Sequence, residues 1–371
     1  MLPSDSVLVL KKDGTVEDLI ALADAGEDIE LMNGIVSPGF INCHCHIELS
    51  HLKGLIPEKT GLIGFIGEIM KSRQADAKVI ATAAAVAIEK MMNNGIVAVG
   101  DICNNTHSIT AKQATALYFH NFIEVSGFPD SVAEKRLEYM KNVLLEFENA
   151  GLKSSLVPHA PYSVSSKLLS MIQRYNSGKP LTIHNQEASE ENELFMTGTG
   201  GFIEFYRQFS IATDGFSPSG KSSWQTLLPS FSASNPLIMV HNVHTTADDI
   251  DQSLLHYREY PENLFLCLCP NANEYIGGQL PDINLLRKKG LQLVLGTDSL
   301  ASNHQLDLLA EINTIQRHYP EISIEEMLLW ATSNGAKALG VQDRFGSFEK
   351  GKKPGVVIID LQHNTSKQIE V

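Results

Sequence analysis

Positive charge is scarce in this chain: 29 lysines and arginines stand against 43 aspartates and glutamates, a formal net charge of −14. A surface that grips nucleic acid or an anionic membrane needs a basic footprint, so neither partner is expected. The deficit says nothing about a substrate, because one pocket can differ in charge from the whole surface. Long apolar runs are missing too, none approaching the ~18 residues of a membrane span. The opening Met1-Leu2-Pro3-Ser4-Asp5 has neither the basic nor the apolar region of a secretory leader. Cysteine is limited to five residues, an odd number, with three inside apolar runs. That usage belongs to a reducing compartment and predicts a cytoplasmic protein. The sequence shows no internal repeat, low-complexity tract or heptad pattern.

What is present is ordinary globular material, 43% hydrophobic and 19% charged, in 371 residues. That length can bury one large core and still support a small second unit. From Phe40 onward, short apolar runs alternate with helical patterns. The runs are 40–43, 96–99, 122–125, 155–157, 181–183, 237–240, 264–268 and 291–295. Between them lie the helix-like segments 77–93, 131–150, 165–175, 247–257 and 283–289, and a further helix is expected over 324–339. Runs apolar on consecutive positions fit parallel strands covered on both faces. Eight β-then-α units in series predict an α/β fold, a (β/α)8 barrel of the TIM type, rather than an open sheet. Both ends read as short strands, with a hairpin signal at Asp13-Gly14. The expected division is a barrel over 39–341 and a small β-sandwich shared by 1–38 and 342–371.

In such barrels the chemistry sits at the C-terminal ends of the strands. Those ends carry His44 and His46, Asp101, Glu124, His159, His184, His241 and Asp298. His44 and His46 stand two apart, so on a strand both imidazoles leave the same face. A lone His-x-His is weak, but the list as a whole is rich in metal ligands. Three histidine nitrogens and one aspartate oxygen make a plausible set for Zn²⁺ or Fe²⁺. No lysine ends a strand in the middle of the series, so one metal is expected rather than a lysine-bridged pair.

Other residues have two readings. Glu187, three residues after His184, is either a proton shuttle or a solvated loop acid like Glu190, Glu191 and Glu193. His159, before Ala160-Pro161-Tyr162, either meets substrate or caps a turn. His244 reads as a neighbour of the site or a helix start rather than a ligand, and His107, His120, His256, His318 and His363 as surface or packing residues. Cys43-x-Cys45 and Cys267-x-Cys269 suggest a thiolate metal site at first sight. Alternation, however, turns Cys43 and Cys45 away from the two histidines, and small buried hydrophobes are the expected role.

Several stretches together resemble the amidohydrolase superfamily, in its cytosine/adenosine-type deaminase and chlorohydrolase branch. They are Pro38–His46, Pro158-His159-Ala160-Pro161-Tyr162-Ser163, His184-x-x-Glu187, His241-Asn242-Val243-His244, Cys269-Pro270-Asn271-Ala272-Asn273 and Gly296–Asn303 running on to Glu311. The likeness covers nearly the whole chain. The loops around His46-Ile47-Glu48-Leu49-Ser50 and Gly198–Phe202 look most like aminodeoxyfutalosine deaminases. The N-terminal flank is shorter than is usual for the family, and Pro354-Gly355 replaces its common Ala-Asp.

The resemblance implies that His44, His46, His184 and Asp298 bind one divalent metal, Zn²⁺ first and Fe²⁺ second. It also implies that Glu187 shuttles a proton to a ring nitrogen, that His241 orients the attacking water with help from Asp298, and that His159 contacts substrate. The implied reaction is hydrolytic deamination of an aminated heterocycle, a 6-aminopurine nucleoside foremost. Alternatives are guanine, cytosine or triazine chemistry on the same site, or an inactive metal-binding relative. The expected partner is a small-molecule substrate, with a homo-oligomer left open. The Gly/Ser-rich 188–234 stretch and segment 48–73 are expected to form a lid. Phe65, Ile66 and Met70 are expected either to wall the pocket or to pack in the core.

Overall fold

Strands that are apolar on both faces must be covered on both sides, and winding them into a cylinder inside a layer of helices achieves this. The computed structural model describes residues 5–176 and 178–369. Residues 1–4, on which the leader expectation rests, and the last two residues of the terminal segment lie outside the described residues. Three short strands come first: β1 (Ser6–Leu10), β2 (Val16–Ala21) and β3 (Ile35–Pro38). The eight expected runs follow as β4 (Phe40–Cys45), β5 (Ile96–Cys103), β6 (Tyr118–Val125) and β7 (Lys153–Pro158), then β8 (Leu181–Asn185), β9 (Leu237–His241), β10 (Leu264–Leu268) and β11 (Gln292–Leu295). Two more, β12 (Val356–Asp360) and β13 (Thr365–Ile369), end the described chain.

Strands β4 to β7 form one parallel four-stranded sheet and β8 to β11 another. Hydrogen bonds join the two halves at both seams. His184 N donates to His159 O at 2.9 Å, and Thr297 N donates to His44 O at 3.0 Å beside a Cys45–Asp298 bridge. The result is a (β/α)8 barrel of the TIM type whose strands are almost wholly buried. Helices α1 (Gly61–Ser72), α2 (Ala77–Asn93) and α3 (Ile109–Gln113) follow the first two barrel strands. α2 has the limits read from the sequence.

The structure departs from expectation at two places. The helix expected over 324–339 is interrupted by a wide π turn at Trp330–Asn334. There Thr332 Oγ1 donates to Leu328 O, and Gly335 lies so close to β4 that a Cβ would stand 2.8 Å from that of Ile41. The presumed loop over 188–234 instead holds three short helices, Ser189–Thr197, Gly201–Gln208 and Ser223–Leu227. Glycine at 198 (φ +71°) and the Ser222 cap delimit them, so a Gly/Ser-rich composition here marks helix ends.

The chain ends meet at the base of the barrel. β3, β12 and β13 form an antiparallel sheet, and Ser366 Oγ donates to Asn94 O just ahead of β5. The β1–β2 hairpin turns at Asp13-Gly14 and is tied in by Val16 N donating to Lys352 O at 2.8 Å. This leaves the opposite end, where the strands terminate, free for loops and chemistry. Among the described residues no helix is long and apolar enough to cross a membrane.

Candidate metal and active site

Because β4 is extended through Cys45, His44 and His46 emerge on one face at the barrel mouth. His184 at the end of β8 and Asp298 beyond β11 face them from across the cylinder. His46 Nε2 lies 3.2 Å from His44 Nε2 and 3.3 Å from His184 Nε2. Asp298 Oδ1 lies 3.3 Å from His46 Nε2 and 3.5 Å from His44 Nε2. All four residues are buried, and their donor atoms lie within 4.8 Å of one another. A tetrahedral ion with ligands at about 2.0–2.1 Å would space those ligands about 3.3 Å apart, so the donor set fits one such ion.

Hydrogen bonds on the far side of these residues set their orientation. His184 Nδ1 donates to His159 O at 2.8 Å, which leaves Nε2 bare toward the cluster. Ser302 Oγ donates to Asp298 Oδ2 at 2.6 Å, so Oδ1 alone is turned inward. Burial lowers the pKa of His184 to about 3 and pushes that of His46 well below the usual range, so both rings are neutral, with a lone pair to offer, at neutral pH. Burial opposes ionisation of Asp298, yet its hydrogen bond with His44 and the adjacent His46 hold it well below the ordinary carboxylate range.

The backbone is strained where these side chains are aimed. Gln186 (φ +46°), His241 (φ +73°), Asn242 (φ +59°) and Asp298 (φ +55°) all adopt the left-handed region that disfavours residues with a Cβ. Gln186 is held by Glu191, whose Oε1 accepts from Gln186 N at 2.9 Å. The next residue, Glu187, then projects inward with a side chain only 6% exposed. Its Oε2 lies 3.6 Å from His241 Nε2, and its buried Oε1 has no hydrogen-bond partner. Burial, then the neighbouring Asp298 and Glu191, raise the Glu187 pKa well above the usual carboxyl value. His241 Nδ1 is engaged by Asn273 Nδ2 at 3.0 Å, leaving Nε2 for the site. Glu187 and Asn273 line a cavity with Gly61 and Leu62 of α1, Val243 and His244.

The Amidohydrolase family model matches residues 35–370. The chain belongs to the amidohydrolase family. That membership makes it a hydrolase. It is 28% identical to an adenosine deaminase of Helicobacter pylori over 91% of this chain and 81% of that protein. It is 25% identical to an aminodeoxyfutalosine deaminase of a Nitratiruptor species, over 94% and 84% of the two chains. The fold is shared with the crystal structure of Helicobacter pylori aminofutalosine deaminase in complex with methylthio-coformycin. That match has a TM-score of 0.81 at 24% identity and covers 96% of this chain and 88% of the other.

In this amidohydrolase His159 sits beside the donor set, its ring 4.8 Å from that of His184 and its Nδ1 2.6 Å from Ser163 Oγ. Burial lowers its pKa to about 4. None of His107, His120, His256, His318 or His363 joins the cluster: His120 is buried against Ser155, while His318 and His363 pair with Glu274 and Asp360. The cysteines are free, buried and outside the donor set. Cys267 and Cys269 lie behind His44, close enough that a Cβ on Gly296 would meet both sulfurs and the His44 Cβ at about 2.8–3.0 Å. Phe65 and Ile66 pack in the core and Met70 is exposed, so none of the three walls the cavity; Gly61 and Leu62 of the same helix do.

Several residues that shape the site carried no role in the sequence reading. Asn273 and Ser302 stand inside stretches that carry the family resemblance, so their position was visible and their bonds were not. Glu191 read as a solvated acid but is fully buried, bonded to Gln186 and to Ser223 Oγ. Glu48 is likewise buried at the mouth, accepting from Asn104 N at 2.9 Å and Asn105 Nδ2 at 2.8 Å.

Proposed function

We propose that this amidohydrolase is a metal-dependent hydrolytic deaminase of a 6-aminopurine nucleoside, aminodeoxyfutalosine- or adenosine-like, that releases ammonia. The observation that carries the reading is Glu187: a buried carboxyl with a raised pKa and a free oxygen, lining a cavity beside a three-histidine, one-aspartate donor set. A binding shell without chemistry has no use for such a group. Names of the similar proteins point the same way, since they act on adenosine and aminodeoxyfutalosine.

In this reading His44, His46, His184 and Asp298 hold one divalent ion, zinc or iron(II). When bound, the ion supplies Lewis-acid activation of water near neutral pH. Glu187, kept protonated by its surroundings, gives its proton to the purine ring nitrogen beside the amino-bearing carbon, which avoids an unstabilised ring anion. His241 presents Nε2 to the attacking water, because Asn273 occupies Nδ1. The water oxygen forms the new bond to that carbon, Asp298 and Glu187 pass its protons toward the amine, and the carbon–nitrogen bond breaks to release ammonia. His159 contacts the base. The helices over 189–208 and α1 exclude water once substrate is seated.

The test is ammonia release by metal-loaded protein, with elemental analysis of the same sample. Adenosine-like nucleosides, 5′-modified ones included, should be turned over at a kcat/KM of about 10⁴ M⁻¹s⁻¹ or more for the right substrate, with about one metal per chain. Turnover confined to guanine, cytosine or triazines would replace the substrate assignment. Two tightly bound metals, or none after growth with added zinc, would end the mononuclear reading.

A further inference from the structure

One residue at the mouth of the barrel, Asp101 at the end of β5, is absorbed neither by the donor set nor by the proposed chemistry. It is completely buried, and it is ion-paired to Lys112 of α3, whose side chain is also completely buried. Asp101 Oδ2 accepts from Lys112 Nζ at 2.5 Å. The other carboxylate oxygen, Oδ1, accepts from the backbone N–H of Ile47 at 2.8 Å. Ile47 is the residue immediately after His46.

The location matters because regular strand pairing fails there. The β4–β5 ladder is irregular between Asn42 and Cys45, and His46 has already left the extended conformation (φ −123°, ψ 78°). The peptide that carries the His46 side chain is therefore held by the Asp101 carboxylate rather than by the sheet. The carboxylate is immobilised in turn. Lys112 Nζ donates to Asn121 Oδ1 at 2.7 Å and to Cys103 Sγ at 3.1 Å, which uses its remaining hydrogens. The rings of Phe119 and Phe147 close over the ammonium at 5.2 and 5.0 Å. A buried pair of this kind is in general no more stabilising than well-packed apolar residues, so stability alone does not account for it.

We propose that the Asp101–Lys112 pair is a positioning device for His46: it pins Ile47 N–H and so presets the metal site before the metal arrives. The inference rests on the metal reading above. Neither residue touches the donor atoms. Groups that orient metal ligands typically change affinity by about 10- to 100-fold when removed.

The experiment measures the zinc dissociation constant by competition with a chromophoric chelator, in variants checked for native circular dichroism. The Asp101→Leu/Lys112→Met double variant removes both charges and the acceptor for Ile47, and its zinc affinity should fall about 10- to 100-fold. Asp101→Asn/Lys112→Met keeps an amide oxygen for Ile47 N–H and should recover most of that loss. A core variant remote from the mouth, Met140→Ala, should melt earlier yet bind zinc as the wild type does. Wild-type affinity in the leucine variant, or equal losses in both double variants, would overturn the proposal. Hydrogen exchange on the wild type answers even where a variant does not fold: Ile47 N–H should be protected without metal as well as with it. Protection that arises only on zinc binding would sink the idea. Failure of the wild type to bind zinc at all would instead count against the proposed function, so the two failures are distinguishable.

Discussion

Asn42 and Thr297 are 255 positions apart in the chain and hydrogen-bonded to each other twice: Asn42 Nδ2 donates to Thr297 Oγ1 at 2.8 Å, and Thr297 N donates to Asn42 Oδ1 at 3.2 Å. The pair stitches the first barrel strand to the last, one residue before Asp298 and two before His44. Both are fully buried. Asn42→Ala would leave Thr297 Oγ1 without its donor and Thr297 N with only its bond to His44 O, in a dry interior where a lost partner costs about 1–3 kcal/mol. The expected outcome is a lower urea midpoint with an unchanged slope, together with weaker zinc retention on dialysis. A variant as stable as the wild type would show that the seam is held elsewhere.

Cys267 and Cys269 lie behind His44 without belonging to the donor set. Replacing both with alanine should lower stability modestly, by about 1–3 kcal/mol in total, as expected for small cavities. Metal content should stay at the wild-type ratio. Loss of metal from the folded double variant would assign the thiols to the site.

Glu187→Gln keeps size and most hydrogen bonding but cannot carry a proton. General acid–base groups contribute about 10² to 10⁴ in rate, so kcat on the true substrate should fall by at least that order. KM should move far less, and elemental analysis should find the metal unchanged. A stripped metal would make Glu187 a ligand, and a fully active variant would hand the proton to another group.

Glu191 yields a pH prediction with a definite sign. Burial raises its pKa to about 7, against the opposing bonds from Ser223 and Gln186. The folded state therefore binds a proton more tightly than the unfolded chain between the ordinary carboxyl value and about pH 7. The stabilisation linked to this proton is complete below the unfolded pKa and is lost as pH rises through the folded one. Glu191→Gln abolishes that titration. The stability of the variant relative to wild type should thus improve from pH 5 to about pH 7 and level off by pH 8 in denaturant titrations. A constant difference across that range would mean that Glu191 titrates normally.

Local pattern alone determined a good deal of this protein. The eight doubly apolar runs and the helices between them specified a (β/α)8 barrel, because covering both faces of a strand is a requirement written into consecutive residues. The i, i+2 spacing of His44 and His46 and the strand-end places of His184 and Asp298 put all four among eight candidates, since strand geometry decides which way those side chains leave the sheet, and the family resemblance picked these four from the eight. What the tertiary structure decided is who meets whom off the strands. Lys112 sits on a short helix, and nothing in its neighbourhood in sequence says that its ammonium is buried against Asp101. Glu191 and its neighbours Glu190 and Glu193 look alike as letters, yet only Glu191 is turned fully inside, by the seating of a nine-residue helix. Asn273 on His241 and Ser302 on Asp298 are of the same kind. Periodicity reports the direction of a side chain within its own element. The partner of a buried charge or amide depends on how two elements dock, and that is settled by packing across the whole barrel.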